Sequence, residues 1–153
     1  MSNNSSTYFE IKDSGDFIRI NVIRLNYPNA ELDWDRNWLN SVISVKAGAF
    51  SGKFKANLMT TDFEIFKREL KIVYKNLDRA ATFEGIESQV IINIKGDGIG
   101  HLNAKCWLMD YAGTGNELKF EIDFDQTQIP ELINQLERIT AEFPTTGELK
   151  IKN

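Results

Sequence analysis

The chain has 153 residues, 42% of them hydrophobic and 26% charged, with a formal net charge of −4 and a pI near 5.1. This composition belongs to a globular domain long enough to bury its own core, not to a disordered chain or a membrane protein. The acidic balance disfavours direct nucleic-acid binding, one cysteine permits no internal disulfide, and no apolar run approaches the roughly 20 residues that span a bilayer.

The opening MSNNSSTYFEIK lacks the charged and apolar regions of a secretory signal, so the expected location is the cytoplasm. Residues 1–7 are polar and expected to be disordered, with one domain over 8–153. FIRINVIRL (17–25) alternates as a strand. NYPNAELDWDRNW (26–38) carries turn residues and reads as a loop. SVISVKAG (41–48) and GKFKANL (52–58) predict a hairpin turning through Ala49, Phe50 and Ser51.

TTDFEIFKRELKIVYKNL (60–77) is the clearest helix, with Phe63, Phe66, Leu70, Val73, Tyr74 and Leu77 on one face. Thr61 and Glu64 have the spacing of a capping box. ATFEG (81–85), QVIINIK (89–95), HLNAKCWLM (101–109) and ELKFEIDFD (117–125) read as further strands. In the last, Leu118, Phe120, Ile122 and Phe124 point inward, and Glu117, Lys119, Glu121, Asp123 and Asp125 point outward. TQIPELINQLERITAEF (127–143) predicts a second helix, buried through Ile129, Leu132, Ile133, Leu136, Ile139 and Phe143, with Pro130 in its first turn.

KFKANLMTTDFEIFKREL (53–70) aligns without a gap on KFEIDFDQTQIPELINQL (119–136), at a constant offset of 66 residues from Lys53 on Lys119 to Leu70 on Leu136. This predicts a duplicated strand–strand–helix unit, with half-repeats near 41–77 and 101–143. The fold class expected is α+β: one mainly antiparallel β-sheet of about seven or eight strands, with two helices packed on one face.

GDGIGHLNAKCW (96–107) holds the only histidine and the only cysteine. On a strand, His101 and Cys106 face opposite sides about 16 Å apart, which excludes a Cys–His dyad. The glycines at 96, 98 and 100 lie between two strands rather than before a helix, so a hairpin turn fits better than a phosphate cradle. Scattered ligands predict no metal site, and nothing implies a cofactor. The outward carboxylates of 117–125 admit a carboxylate enzyme or, more simply, a solvated face. In DWDRNWLN (33–40), Trp34 and Trp38 sit among Asp33 and Asp35; they are either a small core over the sheet edge or a contact surface.

DRNWLNSVISVKAGAFSGKFKANLMTTDFEIFKREL, GDGIGHLNAK and LKFEIDFDQTQIPELINQL together resemble the WapI-type immunity proteins, small bacterial proteins that accompany wall-associated WapA-like toxins. The resemblance runs from about Asp33 to Ile139. It implies a non-catalytic protein that binds and neutralises a cognate toxin domain, some such toxins being nucleases. Partner-binding candidates are then Trp34, Trp38, Asp33, Asp35, Glu117, Glu121, Asp123 and Asp125. A small-ligand-binding α+β domain and an enzyme using surface carboxylates are the competing classes, and monomer and homodimer are equally open.

Overall fold

The structure is a computed structural model and describes residues 7–147. In chain order it comprises β1 (Thr7–Asp13), β2 (Asp16–Leu25), α1 (Asp33–Arg36), β3 (Trp38–Ala47), β4 (Phe50–Met59), α2 (Thr60–Lys75), β5 (Ala80–Glu84), β6 (Val90–Gly96), β7 (His101–Met109), β8 (Glu117–Asp125) and α3 (Ile129–Glu142). A short 3₁₀ turn, Gln126–Gln128, leads into α3. Among the described residues no helix is long and apolar enough to cross a membrane.

The α+β class and the antiparallel pairing hold, but the single sheet does not. The strands form two four-stranded antiparallel sheets, β1-β2-β3-β4 and β5-β6-β7-β8, with three helices rather than two. A meander continued from β4 would pair with the outer edge of β5, and α2 occupies that edge: the Thr82 amide donates to Glu69 Oε1 at 2.8 Å. The far edge of the first sheet is covered in the same way by α3, where the Glu10 amide donates to Gln135 Oε1 at 2.9 Å. Each helix therefore protects an exposed strand edge of the opposite half. Glu69 and Gln135 are related by the same 66-residue offset seen in the sequence. The unit that recurs is four meandering strands and a helix, longer than the strand–strand–helix unit expected from the alignment.

One core joins both sheets and both long helices. At its centre Phe9 from β1, Phe83 from β5, and Phe63 and Phe66 from α2 pack with ring centroids 5.1–6.1 Å apart, mostly edge to face. Leu132, Leu136 and Ile139 of α3 complete the inward stripe, while Ile133 and Phe143 are only partly buried.

Several local expectations change. Tyr74 is 52% exposed, because the α2 stripe that faces the core ends at Val73. The N-cap of α2 is Met59, whose side chain makes no capping bond; Asp62 instead accepts the Met59 amide at 2.8 Å, so Thr61 and Glu64 form no capping box. The β3–β4 turn is Gly48–Ala49, not residues 49–51, since Ala47 already pairs with Phe50. Gly48 has φ 60°, the positive value that a type II′ hairpin places on its first central residue. Residues 26–38 are not wholly loop: α1 forms within them and Trp38 opens β3. Thr7 opens β1, while residues 1–6 of the expected disordered end lie outside the described residues.

Replacing Phe83 with alanine removes the ring that touches all three other phenylalanines. The expected loss is about 3–5 kcal/mol of unfolding free energy, measured by denaturant titration.

Candidate functional site

The outer face of the second sheet carries the residues that the sequence singles out. Register places His101 opposite Asp125, Asn103 opposite Asp123, Lys105 opposite Glu121, Trp107 opposite Lys119 and Met109 opposite Glu117. Asn103 Nδ2 donates to both Glu121 Oε1 (3.0 Å) and Asp123 Oδ1 (2.7 Å), locking these carboxylates side by side. Lys95, Lys105 and Lys119 are exposed among them, so the face alternates in sign and is less acidic than β8 alone. Lys119 also lies 5.4 Å over the Trp107 ring.

Asp125 has a structural task as well. Its Oδ1 accepts the Thr127 amide at 2.9 Å and opens the turn into α3. The Thr127 bonds, with a smaller contribution from the His101 charge, hold its carboxyl below the usual range.

An open hollow of about 700 Å³ lies at this end of the face, between Asn93, Lys95, Asp97, His101, Asn103 and Asp123. Asp97 organises the loop beside it by accepting the Ile99 amide (2.8 Å), the His101 amide (3.1 Å) and His101 Nδ1 (2.9 Å). The Ile99 amide is the largest cause that draws its carboxyl down to about 2, with the His101 ring and amide adding to it. Gly96 is obligatory here, because a Cβ would sit 1.8 Å from the Leu77 carbonyl oxygen. The GDGIG segment is thus a connection between β6 and β7 held by its own aspartate. Cys106 is buried on the opposite face of β7, and burial pushes its thiol up to about 12, so it offers no thiolate to His101. Among the described residues no three His, Cys, Asp or Glu side chains are grouped to hold a metal ion.

The β2–β3 connection, residues 26–37, holds the other candidates. Trp34 on α1 is 54% exposed, while Trp38 is half-buried and pairs with Met59. Asp33 is engaged by Arg36. Asn37, which the sequence reading passed over, fixes the segment: it is buried, its carbonyl accepts the Thr60 amide at 3.0 Å, and its side chain bonds both the amide (2.7 Å) and the carbonyl (3.0 Å) of Thr146. It joins the start of α2 to the chain beyond α3. Asp125 stands at the opposite end of α3, about 20 Å away by helix rise. The eight candidates are therefore not one cluster. Glu117, at the far end of β8 beside residues 110–116, is the one β8 carboxylate distant from Asp125 along the strand.

Three connections gather where β4 ends. Asn26 Nδ2 donates to Asn57 Oδ1 at 3.0 Å, which seats residues 26–37 on β4. Gly85 packs so closely on Leu58 that a Cβ would meet its side chain at 2.8 Å. Buried Gln89 donates to the carbonyls of Lys55 (3.2 Å) and Met109 (3.3 Å), bracing the β5–β6 and β7–β8 connections against the first sheet. Between them is a hollow of about 310 Å³ lined by Lys55, Asn57, Glu87, Gln89, Asp110 and Tyr111. Exposed polar tips on short connections gave the sequence reading no periodic signal by which to find this end.

Asp62, below this end, is the most perturbed carboxyl. Burial first, reinforced by Glu84 and opposed by the Met59 amide, pushes it up to about 7. The folded protein then keeps a proton that the unfolded chain releases near pH 4. The stability from this group is fully present below about pH 4 and is lost as pH rises towards 7. Asp62→Asn retains an acceptor for Met59 and should flatten that decline, exceeding the parent by about 2 kcal/mol above pH 7 in denaturant titrations run at pH 5 and pH 8.

The model of the immunity protein WapI-like family matches residues 9–144. No curated protein matches the chain in sequence. Among solved structures, the crystal structure of WHY1 from Arabidopsis thaliana is similar with a TM-score of 0.52 at 11% identity, covering 95% of this chain and 88% of that one. The structure of the plant transcriptional regulator PBF-2 is similar with a TM-score of 0.51 at 10% identity, covering 93% and 84%. Those two likenesses are of fold.

Proposed function

The chain belongs to the WapI-like immunity protein family, and from that membership we propose that it is a non-catalytic protein that binds a cognate bacterial toxin domain and blocks its active surface. The observation that carries this reading is the family match over residues 9–144. What the site contains agrees with it: exposed carboxylates and aromatics on a rigid frame, with the thiol buried away from the histidine. A nuclease toxin suits such a partner, because a surface that attracts phosphate is basic and meets acidic residues favourably.

The partner-binding residues in this reading are Trp34, Trp38, Asp33 and Asp35 of the β2–β3 connection, with Glu117, Glu121, Asp123 and Asp125 of β8. Charges on an open sheet face act chiefly through encounter, because solvent and salt weaken them once the complex has formed. Asp125 is unsuited to testing this, since its loss would also uncap the 3₁₀ turn that leads into α3.

The test is co-expression with the C-terminal domain of the polymorphic toxin encoded beside the gene. Growth rescue and co-purification of the pair are expected; a toxin domain that kills equally with or without this protein would refute immunity. In the purified pair, Glu121→Lys with Asp123→Lys should lower the association rate about tenfold at low salt, with the difference shrinking as ionic strength rises. Stopped-flow binding at two salt concentrations measures it.

A further inference from the structure

Eleven large hydrophobic side chains are exposed among the described residues, and five of them, Tyr27, Leu32, Trp34, Ile86 and Tyr111, lie on the three connections gathered where β4 ends. Their exposures run from 54% to 74%. Those same connections, residues 26–37, 85–89 and 110–116, carry Glu31, Asp33, Asp35, Glu87 and Asp110, with Glu117 immediately following. The cations close by are Arg36, already engaged by Asp33, Lys55 lining the small hollow, and exposed Arg24 and Lys119 at its margins, fewer than the six carboxylates. This end of the molecule is both the most apolar in its exposed tips and strongly acidic.

The backbone beneath these side chains is fixed. In the β7–β8 connection Asp110 accepts both the Asn116 amide (2.7 Å) and its side chain (3.2 Å), and the Gly115 amide donates to the Tyr111 carbonyl at 2.9 Å. Gly115 has no room for a side chain, since a Cβ would lie 2.3 Å from the Tyr111 amide nitrogen. In the β5–β6 connection the Gly85 amide donates to the Val90 carbonyl, and Ser88 takes φ 56°. The third connection is held by Asn26 and Asn37, as described above. Aromatic side chains on a backbone already set in place lose little entropy on binding.

We infer that this end of the molecule is the docking centre for a basic protein surface, with Ile86, Tyr111 and Trp34 as apolar anchors. Glu87, Asp35 and Glu117 stand beside those anchors and favour lysine and arginine on the partner, while Asp110 holds the loop that carries Tyr111. The alternating face of β8 then serves as a rim that guides approach. Charge decides the occupant: a second copy brought end to end would set these carboxylates against their own kind, whereas a basic surface neutralises them. The inference rests on the proposed toxin-binding role and specifies where that binding happens.

The test compares variants in binding the purified toxin domain. Ile86→Ala with Tyr111→Ala should weaken the complex at least about thirtyfold, mainly through faster dissociation. Glu87→Lys should weaken it about tenfold or more. Phe50→Ala, a comparably exposed residue that opens β4 at its other end, should leave affinity unchanged. All of these positions are on the surface, and circular dichroism melts verify that each variant is folded. Wild-type affinity in the Ile86/Tyr111 and Glu87 variants, with binding retained by the parent, would overturn this surface while leaving the immunity role standing. A parent that binds no toxin domain would overturn both.

Discussion

Four phenylalanine rings hold the two halves of this molecule together. Phe9 stands on the first strand of the first sheet, Phe83 on the first strand of the second, and Phe63 and Phe66 on the helix between them. All four are fully buried and each touches at least two of the others. Their packing brings the first strand of each half under a long helix. The exchange in which Glu69 covers β5 and Gln135 covers β1 follows from that placement. An exposed strand edge invites pairing with other chains, so mutual covering also keeps two open sheets from associating. The cost is a core with little slack: the packing that sets the angle between the sheets is the packing that seats both helices.

The consequence for function is positional. With the halves locked, the connections at one end must meet the end of β4, and Gln89, Asn57 and Asn37 fasten them there with side-chain bonds to backbone and amide groups. Rigid frames that offer short, fixed connections are a common way to build recognition surfaces. The same frame puts Asp97 and His101 on the opposite connection, where the aspartate is spent on holding its own loop. The two ends therefore differ in character although they belong to one repeating topology: one presents anchored apolar tips, the other an internally satisfied turn.

Much of this was legible in the chain. The inward residues of β8, the core stripe of α2 and the opposed faces of His101 and Cys106 follow from periods of 2 and 3.6 alone. The 66-residue offset located the equivalent helices. It could not show that each helix covers the other half, because an edge hydrogen bond such as that of Glu69 or Gln135 leaves no pattern beyond a polar residue on a mostly apolar face. The single sheet was the natural solution for alternating strands, and the break after β4 depends on a contact between segments distant in sequence. Tyr74 misled because helical spacing marks a face without marking where its cover ends. The candidate site was half legible: Trp34 and the acids around it stood out by composition, whereas Ile86 and Tyr111 are ordinary residues until the fold brings their connections together.

The most direct measurement is hydrogen exchange of this chain, free and bound to the toxin domain that the proposed role assigns to it, resolved to short peptides. The account predicts slowed exchange over residues 26–37, 85–89 and 110–117 on binding, with little change in the β1–β2 and β3–β4 turns. Protection confined to those two turns or to the outer face of β1–β4, with the three gathered connections unchanged, would contradict it.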